Sequence, residues 1–341
     1  MSAQRPWHRE ALGEQPVSYA GDRLGCIEPD YSKYFDVRQL RRMSRIIKMG
    51  MASGMDALRE AAIDVPHAII TGTSYGCLED TGIFLTKMIE NQEQALNPTP
   101  FIQSTHNTVG SQIALLLQCQ GYNQTYTQRA FSFESALIDT SMSLEDNPQQ
   151  SILTGAVDEI TTTSHKILQR FDIFRTGSTN SLQLFKDKLP GTLNGEGSAF
   201  FVLSGNQGKD AVAMENVVTL YKPSATTLSN AFASCLEPSS LRPDDVDLVL
   251  VGKSGHITED RDTDHLVSTL FPSSSHAVYK HLTGEFPTAT ALAMALASRI
   301  IQDQHIPQWV IEKDAHRSPK NVLIYNPYFG IYHSLILLRA C

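Results

Sequence analysis

Twice along this chain a short apolar run ends in a polar turn and gives way to a helical periodicity. That alternation restricts the fold more than any other feature. In the first half, apolar residues at helical spacing run from Leu40 to Ala62, "VPHAIITGTSYG" reads as a buried strand with a Gly- and Ser-containing turn, and "CLEDTGIFLTKMIE" as the next helix. "NPTPFIQSTHNTVGSQIALLLQCQG" is a loop and then a helix with Ile113, Leu116 and Leu117 on its apolar face. "NQTYTQRA" is a strand, "FSFESALIDTSMSLED" a helix and "SILTGAVDEI" a short buried strand, while polar loop chemistry then dominates until the strand "GSAFFVLSG". The second half repeats the theme. "LRPDDVDLVLVGKSG" gives a helix end, a strand and a loop, and "DTDHLVSTLF" a helix. "HAVYKHLTGEFPTATALAMALASRIIQ" gives a strand, a polar loop and an Ala-rich helix, and "NVLIYNPYFGIYHSLILLRAC" two strands around a glycine turn. Residues three and four apart share a helix face while strand residues alternate, so these runs separate cleanly. Strands interleaved with helices predict an α/β protein built from two similar halves, divided near Gly205 to Lys209. The expected parts are a tail and first segment over 1–32, one half over 33–205 and a second over 206–341.

Composition bears on partners. The 341 residues carry a net charge of −8 with both signs interspersed, which argues against a nucleic-acid surface. An acidic carrier protein would need a local basic patch, for which Arg41, Arg42, Arg45 and Lys48 are candidates, the plainer reading being a solvated helix face. Cys26, Cys77, Cys119, Cys235 and Cys341 are dispersed without metal spacing and read as reduced thiols of a cytoplasmic protein, with Cys77 and Cys119 as small core residues. No apolar run approaches the ~20 residues of a membrane span, and "MSAQRPWHREALGEQ" reads as a loose tail without a signal-peptide stretch. No metal and no cofactor is expected.

The stretch "TQRAFSFESALID" turns from strand to helix at Phe131-Ser132-Phe133. A helix start offers unpaired amide donors and the positive end of the dipole, which is why many folds place a nucleophile there. Here a phenylalanine occupies it.

Five segments in order resemble the β-ketoacyl synthases, the condensing enzymes of fatty-acid and polyketide assembly: "NPTPFIQSTHNTVGSQIAL" around Asn107, the elbow "NQTYTQRAFSFESALID", "LPGTLNGEGSAFFVL" with Gly195-Glu196-Gly197, "YKHLTGEFPTATALAMALA" and "YNPYFGIYHSLIL". The resemblance covers about residues 33 to 341 and implies the thiolase fold, five-layered αβαβα from two duplicated halves. In that family a cysteine at the elbow carries the acyl thioester and two histidines donate hydrogen bonds to the developing enolate, with a lysine nearby. Carried over, Ala130 matches, Phe131 stands for the cysteine, Ser254 for the first histidine and Glu285 for the second, and Lys280 alone is retained. The C-terminal glycine-rich loop is reduced to Phe329 and Gly330.

A benzyl group cannot attack a thioester, and a glutamate ionised near neutrality repels an enolate. The resemblance therefore implies a degenerate, chain-length-factor-type subunit that pairs with an active ketosynthase and shapes the tunnel for a carrier-bound chain, with the acyl carrier protein a further partner. Aryl-polyene-like pathways are the product class it implies. Asn107, Phe131, Ser132, Phe133 and Phe329 are the tunnel candidates. The strand "NQTYTQR" would pair across a two-fold axis with the partner. Two rivals stand beside this reading: an active synthase with relocated groups such as Ser132 and His256, and a free-standing acyl-binding or scaffold protein. The plainer readings are that Ser132 bonds backbone amides, His256 faces solvent, His106 and His281 need not line a tunnel, Asn107 bonds backbone in the core, Lys280 makes a structural ion pair, and Gly195-Glu196-Gly197 is a tight turn before a strand.

Overall fold

The structure, a computed structural model, describes residues 2–4, 16–206 and 211–341. In the first half the elements are β1 (Ser2–Gln4), β2 (Ala20–Gly21), β3 (Arg23–Cys26), α1 (Val37–Leu40), α2 (Arg45–Glu60), β4 (Ala68–Gly72), α3 (Leu78–Glu90), α4 (Pro98–Gln103), α5 (Thr108–Leu117), β5 (Tyr122–Tyr126), α6 (Ser132–Asp146), β6 (Ser151–Asp158), α7 (Thr162–Gln169), β7 (Thr179–Asn180), β8 (Asn194–Gly195) and β9 (Gly197–Ser204). In the second they are β10 (Val212–Tyr221), α8 (Ala225–Leu236), β11 (Leu248–Val251), α9 (Ile257–Leu270), β12 (Ser275–Val278), α10 (Lys280–Thr283), α11 (Ala289–Asp303), β13 (Ile311–Lys313), β14 (Asn321–Tyr328) and β15 (Tyr332–Ala340).

Two sheets carry the fold. The first has the order β5-β4-β6-β9, with β4 parallel to both β5 and β6, and β9 antiparallel to β6. In the second, β10-β15-β14-β11-β12-β13, the run β12-β11-β14-β15 repeats the same pattern of two parallel pairs and one antiparallel pair. The duplication read from the sequence is thus a duplication of topology.

Period-two alternation sorts the strand residues into layers. Leu248 and Leu250 of β11 pack with α11, while Val249 and Val251 between them pack with Phe232 of α8 and Val267 of α9. Ile336 and Leu338 of β15 join the first set, Leu335 and Leu337 the second. In the first sheet Ile69, Leu153 and Phe200 meet Ile47 and Met51 of α2 and Ile113 of α5. The central layer is α6 and α11, covered by a sheet on each side. Its α11 is buried almost all round, from Ala289 through Ile301, as expected of a helix with no polar face. Its alanines let both sheets approach. Each fully buried Leu or Ile there contributes about 1.5–3 kcal/mol.

Two expectations are corrected. The helix over Leu40 to Ala62 is broken: Asp36 caps α1 by accepting from Arg38 and Gln39 amides, and a turn separates it from α2. The segment read as a loose tail, residues 1–15, is tied down at β1, which pairs in parallel with β3. The remaining tail residues 5–15, and residues 207–210 at the expected division, lie outside the described residues. No described helix is long and apolar enough to cross a membrane. The outer edge of β5 carries no strand among the described residues.

Candidate functional site

Between β5 and α6 the chain makes one tight turn, Arg129–Phe131, with Arg129 in the left-handed region at φ 53°. Phe131 follows as the residue that opens α6, and no side chain caps the helix there. Ser132 is fully buried; its Oγ donates to the Arg129 carbonyl at 2.7 Å and accepts from the Gln128 amide at 2.9 Å. Both bonds hold the elbow closed and commit the hydroxyl proton to the backbone. The Phe131 ring is half-buried and meets Tyr332 edge-on, centroids 5.1 Å apart. From Tyr332 an aromatic column continues to Tyr328 at 6.2 Å, on to Phe329 at 4.3 Å and to Phe174 at 6.4 Å. Phe133 faces away, fully buried beside Phe201. Asn107, expected in the core or along a tunnel, is exposed, with its Nδ2 on the Ser111 hydroxyl at 3.3 Å. It sits where α5 begins, and its short amide reaches only its own helix.

Behind the column lies a buried polar centre. Lys280 Nζ and Glu285 Oε2 are 2.6 Å apart, and neither side chain is exposed to solvent. Gly284 is at φ 71° and ψ −178°, a conformation reserved for glycine. Its Cα faces Gly195 so closely that a Cβ on Gly284 would lie 2.6 Å from the Gly195 Cα. Glu285 donates its amide to the Leu193 carbonyl at 2.8 Å and accepts at its own carbonyl from Gly195 at 3.0 Å. This backbone seam joins the two halves. Burial pushes the Glu285 carboxyl up to about 7 against the pull of the Lys280 ammonium. A freely ionised Glu285 is therefore corrected: its charge is neutralised in place by Lys280, with which it forms the structural ion pair expected of that lysine.

Ser254 is buried and its amide donates to Asp260 Oδ1 at 2.9 Å, as Gly255 does to Oδ2 at 2.9 Å. Its Oγ accepts from the His256 amide at 3.2 Å. The neighbouring Lys253 is held by Glu312 at 2.8 Å and Asp264 at 3.0 Å. This loop is tied to the ion-pair segment through one stretch of chain: the Thr192 hydroxyl donates to the Ser254 carbonyl, and the Glu285 amide donates to the carbonyl of the next residue, Leu193. Two further carboxyls escaped the sequence reading. Burial lifts Glu134 of α6 to about 7 against the Ser334 and Thr290 hydroxyls and Lys280. Asp158 is lifted by burial to about 6 although it accepts from Thr288 Oγ1, Thr73 Oγ1 and the Ser74 and Tyr75 amides. The Tyr328 hydroxyl, midway along the aromatic column, is pushed far up by burial, with Tyr75, Glu285 and Asp158 adding. The one signal in the sequence was the spacing of Glu134, three residues past Phe131.

The other candidates fall elsewhere. His281 is buried with Nε2 3.0 Å from the Trp309 carbonyl, and burial drops it to about 4, so it is neutral. His106 is exposed, whereas His256 is half-buried and not the solvent-facing residue expected. Cys77 is buried, and Cys119 only half so. Arg45 is no surface cation: it bonds Glu28 and holds Glu196 Oε2 at 2.6 Å. Glu196 in turn accepts from the amides of Cys26 at 2.9 Å and Ile160 at 2.8 Å. The Gly-Glu-Gly turn is a clamp on β3, not a phosphate loop. Among the described residues no three His, Cys, Asp or Glu side chains converge as metal ligands.

A sequence profile described as "Beta-ketoacyl synthase, N-terminal domain" matches residues 1–208, well over half of the chain. The chain belongs to the β-ketoacyl synthase family. No curated protein matches it by sequence. Among solved structures it is similar to the ishigamide ketosynthase/chain length factor, with 16% identity, 99% of this chain and 92% of that one covered, and a TM-score of 0.77. It is also similar to the ketosynthase (ApeO) in complex with its chain length factor (ApeC) from Xenorhabdus doucetiae, at 14% identity, 95% and 90% coverage and a TM-score of 0.72. A third is AntDE:AntF, a type II PKS acyl-carrier protein in complex with its ketosynthase bound to the hexaketide, at 15% identity, 93% and 90% coverage and a TM-score of 0.72. Likeness at this identity establishes the thiolase fold. Within that fold this β-ketoacyl synthase chain has a carbon side chain at the elbow, a serine hydroxyl already bonded beside it, and a buried ion pair next to the Ser254 loop.

Proposed function

We propose that this chain is a non-catalytic, chain-length-factor-type subunit of a heterodimeric β-ketoacyl synthase, and that it shapes the tunnel in which a carrier-bound polyketide or polyene chain grows. The observation that carries this is the Phe131 ring at the helix start, stacked edge-on against Tyr332. Three losses compound it. Phe131 offers no nucleophile, Ser254 is locked into the Asp260 turn, and Glu285 accepts from Lys280 instead of donating to an enolate. The unpartnered edge of β5 supports pairing with an active synthase, because an exposed edge strand invites association and a permanent partner removes it. Similar structures that hold a ketosynthase with a chain length factor point the same way.

The test is to purify the chain alone and together with candidate synthases and to assay condensation of malonyl- and acyl-carrier substrates. The isolated chain is expected to show no turnover, and the complex to be a one-to-one heterodimer with an interface above ~2,000 Å². Turnover by the isolated chain that Ser132→Ala or His256→Ala abolishes would overturn the reading in favour of relocated catalysis.

A further inference from the structure

The two sheets end differently. Beyond β15 the second sheet continues into β10, which runs antiparallel to it and packs between α8 and α6. β9 stands in the first sheet where β15 stands in the second, yet no further strand follows it among the described residues. Its place is a groove of about 1140 Å³. The floor is β9 from Ser198 to Ser204, and the walls are α2, which precedes β4 as α8 precedes β11, and α11, the counterpart of α6. Met49 and Ala57 line one wall, Leu292 and Ala295 the other. Counted from the start of β4 and of β11, the ladders put Leu203, Val202 and Phe201 in the register of Leu338, Leu337 and Ile336. Under β10 those three are 0% exposed, whereas Phe201, Val202 and Leu203 are only half-buried. Every second residue of β9 gives its amide and carbonyl to β6, so the residues between present theirs to the groove.

We propose that this groove receives an antiparallel β-strand from another polypeptide, an extended segment of alternating apolar side chains with a cation at its N-terminal end. Added this way, a strand pairs its main chain with β9 and sends its side chains alternately to the two walls. The second sheet supplies the template. Val212, Met214 and Val217 of β10 pack with the α11 core, Val218 and Leu220 with the α8 core, and a bulge at Glu215 separates Met214 from Asn216. The direction follows as well. A strand antiparallel to β9 enters beside Ser204. There Gly205 donates to the Pro148 carbonyl just past Glu145, and α2 ends at Glu60 before the chain enters β4 opposite Ile152, the partner of Leu203. Glu60 and Glu145 are exposed on the groove, and neither has a basic partner among the described residues. A lysine or arginine leading the strand meets both.

The probe is the labelled synthetic peptide KVAMNVVTL, the β10 sequence without its bulged glutamate and its last residue, led by a lysine. Fluorescence anisotropy with the full chain should show saturable binding, and amide exchange should slow at residues 197–204 but not along β10 or β5. Two versions of the peptide N-methylated at alternate residues should differ at least about tenfold in affinity, because only one set of amides faces β9. Moving the lysine to the C-terminus, or the variant Glu60→Lys/Glu145→Lys, should weaken binding at least about fivefold. Both glutamates are exposed, so an unaltered thermal midpoint verifies folding. No saturable binding, N-methylated versions that bind alike, or slowed exchange elsewhere would overturn the proposal. So would palmitate or a peptide of residues 5–15 that displaces the probe at lower concentration than the unlabelled peptide, or self-association of the free chain that protects residues 197–204. Those outcomes assign the groove to a lipid, to this chain or to a second copy. The test uses neither a synthase nor a carrier, so its outcome is independent of the function proposed above.

Discussion

Phe131 and the Lys280–Glu285 pair make opposite use of the same site, one by filling space and the other by cancelling charge. Phe131→Cys removes a half-buried ring from Tyr332, so it should cost about 1–3 kcal/mol, less than the loss of a fully buried ring. It should also create a thiol at a helix start that alkylates faster than buried Cys77, while condensation stays absent. Thermal melts and thiol labelling read both. A thiol no faster than Cys77 would show that the helix start does not activate this position. For the ion pair, Lys280→Met leaves a buried carboxylate alone and Glu285→Gln a buried ammonium, so each should destabilise by about 3–5 kcal/mol in urea titrations. The double variant should cost clearly less than the two single ones together. Additive costs would mean that the two charges do not depend on one another.

At the scale of elements, the seam between β8 and the turn before α11 and the bare edge of β5 have different tolerances. Gly284→Ala puts a Cβ against the Gly195 Cα in a backbone conformation open to glycine alone, and should cost at least about 3 kcal/mol or abolish soluble expression. On α6, next to β5 in the fold, Ile138 and Met142 are exposed. Ile138→Asp/Met142→Asp should leave the isolated chain within about 0.5 kcal/mol of wild type and, under the proposed function, prevent co-purification with a synthase. The strands and most helices were legible because the short apolar run "LVLV" and the Ala-rich apolar helix are local signals. Strand β2 was not, since its partner β7 lies 160 residues away, and the Glu196 clamp on β3 spans 170. Glu134 was missed for a related reason. In isolation a glutamate in the first turn of a helix reads as a solvated charge, and only a second sheet closing over α6 buries it.

On the scale of the whole molecule, the buried acids act together. Burial raises Glu134, Glu159 and Glu285 to about 7, and Asp158 and Asp260 to about 6. In that window the folded chain binds more protons than the unfolded one, whose carboxyls titrate near 4, so stability is greatest at the acidic end and falls as pH rises toward 7. His281, lowered to about 4, opposes this below about 6.5 because unfolding then takes up a proton. The thermal midpoint should rise as pH falls from about 8 to about 6, and a midpoint that falls over that range would contradict these burials. The clamp of Glu196 on Cys26 sets a different kind of timetable. The two residues are 170 positions apart, and at roughly 5–20 residues per second a ribosome needs about 10–35 s to deliver the second after the first. Throughout that interval β3 and the α2 arginine that shares Glu196 have been synthesised without the carboxylate that clamps them. Successful biogenesis of this chain thus depends on the nascent first half waiting, unaggregated, for its own later segment.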